Sequence, residues 1–313
     1  MTTAPQASTV AILLCTRNGE AFLGQQLDSF AAQTHAVWTV WASDDGSTDQ
    51  TMAMLEQRRA AWGPDKLKIL RGPGRGSSPN FLSLACNDTI QADYFSYADQ
   101  DDIWHADKLA RAVAWLDTVP KSKPALYFSR TALVDEAGRD IGLSRLFTKQ
   151  PGFQNALVQN IGGGNTMVFN QAARAILRAA GNDMEVVVHD WWTYMAVTGA
   201  GGVVFSDSAP SLQYRQHSGN QIGSNLGLRA RLFRAGLLFE GRFKLWTDIN
   251  LKALLRIESR LTPKNQQILA DFNAARAQKG LIPRLIGVAR SGIYRQSFID
   301  NVGLYLAAAL NRL

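Results

Sequence analysis

Two cysteines, four histidines and no apolar run of the ~18 residues needed to cross a bilayer as a helix set the first limits on this 313-residue chain. Cys15 and Cys86 form no metal-type pair and no disulfide framework, and thiols this scarce fit a reducing cytosol. Residues 1–8 are polar and lack a basic-then-apolar secretory pattern. The apolar run at 9–15 is too short to supply one and reads as a buried strand. Internal repeats and low-complexity tracts are absent. What is there in quantity is hydrophobic: 46% of residues, with eight Trp, against 19% charged. That balance excludes a disordered chain and is enough for one large domain, or one domain with an appendage.

The net charge of +7 is unevenly placed. From Leu228 to the end there are 15 Lys/Arg against 5 Asp/Glu, a balance of +10. The residues before it hold 18 against 21, a balance of −3. The positive charge therefore belongs to the last quarter, a composition that attracts anionic surfaces.

Apolar runs at 10–14, 37–42, 67–70 and 94–98 read as strands. Helical spacing fills the intervals at 21–33, 49–59, 78–90 and 106–117, with Pro79 at a helix start. This alternation predicts an α/β fold, a mixed but mostly parallel sheet flanked by helices, whose ligands sit beyond the carboxyl ends of the strands. Further strands are expected at 125–129, 203–205 and 212–214, a loop at 144–153, and a helix at 190–197. From about Leu226 the pattern is basic and helical, interrupted at Pro263 and Pro283. Residues 1–225 and 226–313 thus read as a main domain and a helical C-terminal region.

Five stretches carry candidate chemistry. Asp44-Asp45-Gly46-Ser47-Thr48-Asp49 follows the second strand, where carboxylates can accept from a base N–H or a ribose hydroxyl; the same residues also make a capped turn. Asp99-Gln100-Asp101-Asp102 follows the fourth strand. Alternate carboxylates there can grip Mg²⁺ or Mn²⁺ and leave positions for two phosphate oxygens, or they can simply favour the N-terminus of the next helix. His189-Asp190-Trp191-Trp192 places a carboxylate able to take a hydroxyl proton beside aromatic faces suited to sugar rings, unless Asp190 is only a helix cap. Tyr214 to Asn220 offers Arg215 for a phosphate and His217 for a metal shell. Gly162-Gly163-Gly164 lets backbone N–H groups approach a ligand, without a Walker lysine or G-x-G-x-x-G spacing.

Taken in order over roughly residues 9–220, these stretches resemble the family 2 inverting glycosyltransferases of the GT-A (Rossmann-like) fold. The Asp-Gln-Asp-Asp-x-Trp and His-Asp-Trp forms are similar to the rhamnosyltransferase branch that builds cell-wall and O-antigen polysaccharides. The resemblance implies that Asp45 contacts the donor's pyrimidine, with Asp44 and the backbone near Cys15 and Arg17 beside it. It implies that Asp101 is the principal metal ligand supported by Asp99, with His217 near the diphosphate. Asp190 is then the general base, with Trp191, Trp192, Gly163 and Gly164 toward the acceptor. Arg17 stands where a Tyr is common, and Asp99 where a Ser or Thr is usual. The implied reaction inverts the anomeric centre, so a β-L-rhamnosyl nucleotide (dTDP-rhamnose, or another dTDP- or UDP-hexose) gives an α-L-rhamnoside on a glycan or lipid-linked glycan. A cytoplasmic chain, peripheral on the inner face of the plasma membrane, is the implied location.

The basic tail acquires a reason from this resemblance. Phe239, Phe243, Leu245, Trp246, Leu251, Leu254 and Leu255 lie among Arg242, Lys244, Lys252 and Arg256, a mixture suited to an interfacial helix. The alternatives are packing on the main domain or a homodimer contact. A sugar-1-phosphate nucleotidyltransferase would need an Arg-containing glycine-rich loop that Thr16-Arg17-Asn18-Gly19 does not supply. A nucleic-acid partner is not expected, because the tail has no recognition motif.

Overall fold

The computed structural model describes residues 7–217 and 242–313. The boundary at 225/226, Ser218 to Asn220 and Phe239 lie outside the described residues. The alternation read from the sequence appears as β1 (Val10–Thr16), α1 (Leu23–Ala31), β2 (Trp38–Asp44), α2 (Thr51–Trp62), β3 (Leu67–Arg71), α3 (Ser77–Cys86) and β4 (Tyr94–Ala98). The two faces of β1 explain its all-apolar sequence. Ala11, Leu13 and Cys15 enter one core and Val10, Ile12 and Leu14 the other, because strand side chains alternate and helices cover both faces.

The chain continues through β5 (Ile103–Trp104), α4 (Lys108–Leu116), β6 (Ala125–Val134), β7 (Asp140–Leu143), α5 (Phe153–Ala156), β8 (Val168–Asn170), α6 (Gln171–Ala180), α7 (His189–Gly199) and β9 (Val203–Arg215). The sheet runs β3-β2-β1-β4-β8-β6-β9-β5, with β7 on β6. It is mostly parallel; β8, β5 and β7 run against their neighbours. This is the α/β, mostly parallel architecture expected. Strands expected separately at 203–205 and 212–214 form one strand, β9. Asp207 to Pro210 looks like a break in sequence. Register shifts against β6 on either side of Arg130 instead absorb Pro210, which has no N–H to give a ladder.

Two reversals build the site. Because β8 is antiparallel to β4, its beginning lies at the end where β4 finishes, and Tyr97 N donates to Met167 O at 3.2 Å. The glycine turn preceding β8 is thereby carried to the carboxyl ends of the parallel strands. The short β5, not anticipated from the sequence, pairs Ile103 with Gln213, which sets the residues just before it beside the end of β9.

The C-terminal helices are α8 (Arg242–Leu255), α9 (Pro263–Ala277), α10 (Leu281–Arg290) and α11 (Phe298–Ala309). Pro263 and Pro283 lie in the first turns of α9 and α10, where proline lacks no needed N–H, so they open helices as well as separate them. Leu251, Leu254, Phe272, Val288 and Leu304 share one core with Phe81, Trp192 and Tyr194. For the described part, residues 242–255, the expectation that the apolar face meets a surface is corrected here. Leu251 and Leu254 are buried and Phe243 and Trp246 pack against the same core; of the apolar residues named above, Leu245 and Leu255 are the exposed ones among those described.

Candidate active site

The loops after β1 and β2 are sewn together before any ligand is considered. Asp44, buried, accepts from Thr16 Oγ1 at 2.9 Å and from Ser47 Oγ at 2.5 Å through one carboxylate oxygen. The other oxygen accepts from Gly46 N at 3.1 Å and Ser47 N at 2.8 Å. Asn18 takes a left-handed backbone (φ 48), which Asn tolerates better than most residues. Its side chain accepts from Thr48 N at 2.8 Å while its own N–H donates to Ser47 Oγ at 2.8 Å. Gly19 N donates to Thr51 Oγ1 at 2.7 Å.

Asp45 is buried as well. Its oxygens accept from Gly74 N at 2.6 Å and Gly76 N at 2.7 Å, in the loop between β3 and α3. Gly72 permits this approach: a Cβ there would sit 2.7 Å from Asp45 Oδ1 and 2.9 Å from Asn80 Oδ1. Gly74 and Gly76 have φ of +69° and +93°, a region other residues rarely adopt. The glycine-rich run Gly72-Pro73-Gly74-Arg75-Gly76 directly after β3 was the available signal for this loop, and reading the sequence for acids passes over it.

Beyond β4 the carboxylates are differently placed. Asp99 is packed deep in the crevice yet still partly reached by solvent, and it accepts no hydrogen bond among the described residues. Burial, then the charges of Asp101 and Asp190, push its carboxyl up to about 8. Asp101 Oδ2 lies 2.9 Å from His217 Nε2, and the His217 ring packs on Phe22 with centroids 5.0 Å apart. The Cys15 thiol is pushed up by burial, then by Asp99 and Asp45. Asp101 and Asp190 thus lie near enough to Asp99, and Asp99 and Asp45 near enough to Cys15, for their charges to be felt.

Gln100 holds that crevice together in a way the sequence did not reveal. Its side chain accepts from Arg17 N at 2.8 Å and donates to Arg17 O at 2.9 Å, clasping the first loop to the fourth. Gly19 lies against the same amide, and a side chain there would have to displace it. The Arg17 side chain remains exposed.

Asp190, in the first turn of α7, accepts from Gly164 N at 3.0 Å and from Trp191 N at 2.6 Å. Burial pushes its carboxyl up to about 6, against the opposing pull of those N–H groups and the Asn160 side chain. Asp102 binds the two halves of the site: Asn165 Nδ2, beside the glycine turn, donates to its Oδ2 at 2.7 Å. Gly164 must be glycine, because a Cβ would meet the buried His189 Nε2 at 2.5 Å and Asp190 Cβ at 3.3 Å. His189 itself is stacked on Phe81 at 3.9 Å, and burial holds its imidazole down at about 3, hence neutral. Gly163 is exposed beside this turn.

Three expected contacts fall elsewhere. Trp192 is wholly buried, so the expectation that its face meets an acceptor sugar is corrected: it is core. Trp191 is 7% exposed, and its indole N–H donates to Ala156 O at 2.6 Å, leaving little surface for a ligand. Arg215 turns inward, donating to Glu136 O at 2.9 Å and Gln25 Oε1 at 2.5 Å, with its guanidinium 4.7 Å from the Phe22 ring centroid. It thereby backs the ring on which His217 rests. A cavity of about 350 Å³ lined by Ser43, Arg71, Cys86 and Asn182 includes none of these acids. Among the described residues no three His, Cys, Asp or Glu side chains come close enough to ligate an ion unaided.

Residues 11–180 match the family model described as Glycosyl transferase family 2. The dTDP-rhamnosyl transferase RfbG of Shigella flexneri is 28% identical over 239 residues, 72% of this chain and 78% of that protein. Protein CgeD of Bacillus subtilis is 28% identical over 142 residues, 42% of this chain and 32% of its own length. The structure of S. aureus TarS 1-349 in complex with UDP-GlcNAc aligns over 97% of this chain and 89% of that one, with a TM-score of 0.55 at 16% identity. Mannosyltransferase PcManGT from Pyrobaculum calidifontis in complex with GDP-Man and Mn2+ aligns over 98% and 88%, with a TM-score of 0.50 at 20% identity. At those identities the two structures speak for the fold, which is that of the GT-A glycosyltransferases. With more than half of its length under the family model, and the same sheet carrying acids at its strand ends, the chain belongs to glycosyl transferase family 2.

Proposed function

We propose that this enzyme transfers a sugar, L-rhamnose in the first instance, from a dTDP or UDP donor to a glycan or lipid-linked glycan of the cell surface, with inversion. The observation that carries the reading is the partly accessible Asp190, whose charge reaches Asp99 and which is held by Gly164 N in a turn tied to Asp102. The similarity to a dTDP-rhamnosyl transferase supports the choice of sugar.

Asp45 anchors the donor base. A carboxylate has about four acceptor positions, and two are used by Gly74 and Gly76, leaving room for a pyrimidine imino N–H. Thymine and uracil carry that N–H at the ring position where cytosine has only an acceptor. Asp44 keeps the loop in shape from behind, and the backbone near Cys15 and Arg17 borders the base.

Asp101 and His217, with Asp99 behind them, suit a hard divalent cation such as Mg²⁺ or Mn²⁺ whose remaining positions are filled by diphosphate oxygens. Their present hydrogen bond joins a carboxylate to an imidazole, both able to turn toward a cation. When bound, the cation neutralises charge on the departing diphosphate. A neighbouring positive charge would also favour the ionised form of Asp99.

Asp190 takes the proton from the acceptor hydroxyl as that oxygen attacks the anomeric carbon from the face opposite the diphosphate. Burial makes this carboxylate a stronger base than an exposed one, while the N–H groups of Gly164 and Trp191 fix its direction. The rest is positioning, in which Gln100 and the Asp102–Asn165 bond keep donor and acceptor halves in register.

A thermal-shift panel of dTDP-, UDP- and GDP-sugars, each with and without Mn²⁺, tests the reading. Stabilisation by dTDP- or UDP-sugars that grows with the cation is expected. Preference for GDP-sugars, or indifference to all, would remove the donor assignment.

A further inference from the structure

The outer surface of the last two helices is apolar where a helix packed on a soluble domain is ordinarily polar. On α11, Phe298 is 82% and Ile299 67% exposed, followed by Val302, Leu306 and Leu310 at the helix end. On α10, Ile282 is 69% exposed, between Leu281 and Ile286. The opposite sides of the same helices, Val288 on α10 and Leu304, Ala307 and Ala308 on α11, are buried in the core. Both helices therefore carry two apolar stripes, one more than inward packing requires. The pair is one unit. Buried Arg284 of α10 donates through Nε to Ala308 O at 2.5 Å and through a terminal nitrogen to Ala309 O at 3.0 Å, capping the end of α11.

Charge distinguishes the occupants this face could take. Residues 278–313 contain Lys279, Arg284, Arg290, Arg295 and Arg312 against a single acid, Asp300, a balance of +4. The acid is already paired, with Arg145 at 2.8 Å and Ser297 Oγ at 2.6 Å. Lys279, Arg290 and Arg312 are exposed. A second copy of the same face would bring like charges together, because a two-fold contact pairs a patch with itself. An anionic lipid surface offers both what the stripe needs and what the cations need.

We propose that the exposed face of α10 and α11 seats the protein on an anionic bilayer. Phe298, Ile299 and Ile282 enter the acyl boundary, and Lys279, Arg290 and Arg312 meet the headgroup phosphates. The placement concerns the site directly. Gly303, Leu304 and Ala307 of α11 line a small cavity with Trp191, the residue after Asp190. A bilayer on the far side of α11 is then on the order of one helix diameter, ~10 Å, from Trp191. This last consequence, access to an acceptor held in the membrane, rests on the proposed transfer reaction; the docking face does not.

The test is flotation of the full chain with phosphatidylcholine vesicles containing phosphatidylglycerol, and with phosphatidylcholine alone, in the absence of any nucleotide sugar. The wild type is expected to float with the anionic vesicles and far less with the neutral ones. Phe298→Glu/Ile299→Glu should lower partitioning ~100-fold or more, since two large apolar side chains leave the acyl boundary and two like charges face the lipid. Ile282→Glu, on the other helix, should lower it separately, and unchanged thermal unfolding of both variants shows the fold retained. Failure of the wild type to float with anionic vesicles, equal partitioning of the variants, or a wild-type dimer in light scattering that the same substitutions split would each overturn the proposal. Vesicle binding without sugar transfer would leave the docking face standing and count against the transfer reading alone.

Discussion

The loops after β1 and β2 and the loops around Asp99 and Asp190 both put aspartates at strand ends, yet they treat them oppositely. Asp44 is buried with its carboxylate filled by N–H and O–H donors from the chain, and buried Asp45 is held by two backbone N–H groups with acceptor positions left over. Asp99 and Asp190 keep contact with solvent, and burial raises both to values where proton exchange near neutrality is feasible. A carboxylate filled by donors, as in Asp44, acts as a scaffold. A desolvated one that solvent still reaches, as with Asp99 and Asp190, is reactive, because a proton or a cation relieves it.

The sharpest test of this contrast is Asp190→Asn. Removing the base should lower transfer by roughly 10²–10⁴-fold while donor affinity, followed by calorimetry, stays unchanged. Turnover near the wild-type rate would dismiss Asp190 as the base. Asp44→Ala should do the reverse. Four donors lose their acceptor, so stability should fall by about 2–4 kcal/mol in urea unfolding, with activity per folded molecule largely kept. If it instead cut turnover without a stability loss, the division between scaffold and reactive acids would fail.

Gly164→Ala falls between the two. The added methyl meets buried His189 and the base of Asp190, an overpacking cost of about 1–3 kcal/mol. We expect roughly a tenfold lower kcat with the donor KM held; a matching rise in donor KM would place the glycine turn on the wrong side of the site. The smallest effect is on pH. Burial favours the protonated form of Asp190 and catalysis needs the carboxylate, so activity should fall as pH drops through about 6, by about tenfold per unit below it. An acid limb near 4 in the kcat profile would show that Asp190 is no more buried than an ordinary surface acid.

Much of this was legible from residue order. The apolar runs of β1, β2 and β4 mark strands buried on both faces, and acids just beyond them mark the ligand end of a parallel sheet. What escaped the reading depends on partners far along the chain. Gln100 looks like a spacer between acids until its amide meets Arg17. Asn165 is one more turn residue until it reaches Asp102. Trp192, beside Asp190, reads as a sugar platform, but α7 places adjacent side chains on different faces and turns this one into the core.

The C-terminal quarter teaches the same lesson from composition. Its positive charge is countable from the residues, and so is its helical spacing. Each helix there offers more than one apolar stripe, and periodicity is silent on which stripe a core will claim. Local chemistry, through strand period, turn residues and the clustering of acids, determined the sheet, the order of the loops and the kinds of groups at their tips. Tertiary packing alone decided which carboxylates are filled and which stay reactive, and which helical face is left outside. Solvation and hydrogen-bond supply depend on neighbours that only folding brings within a few ångströms.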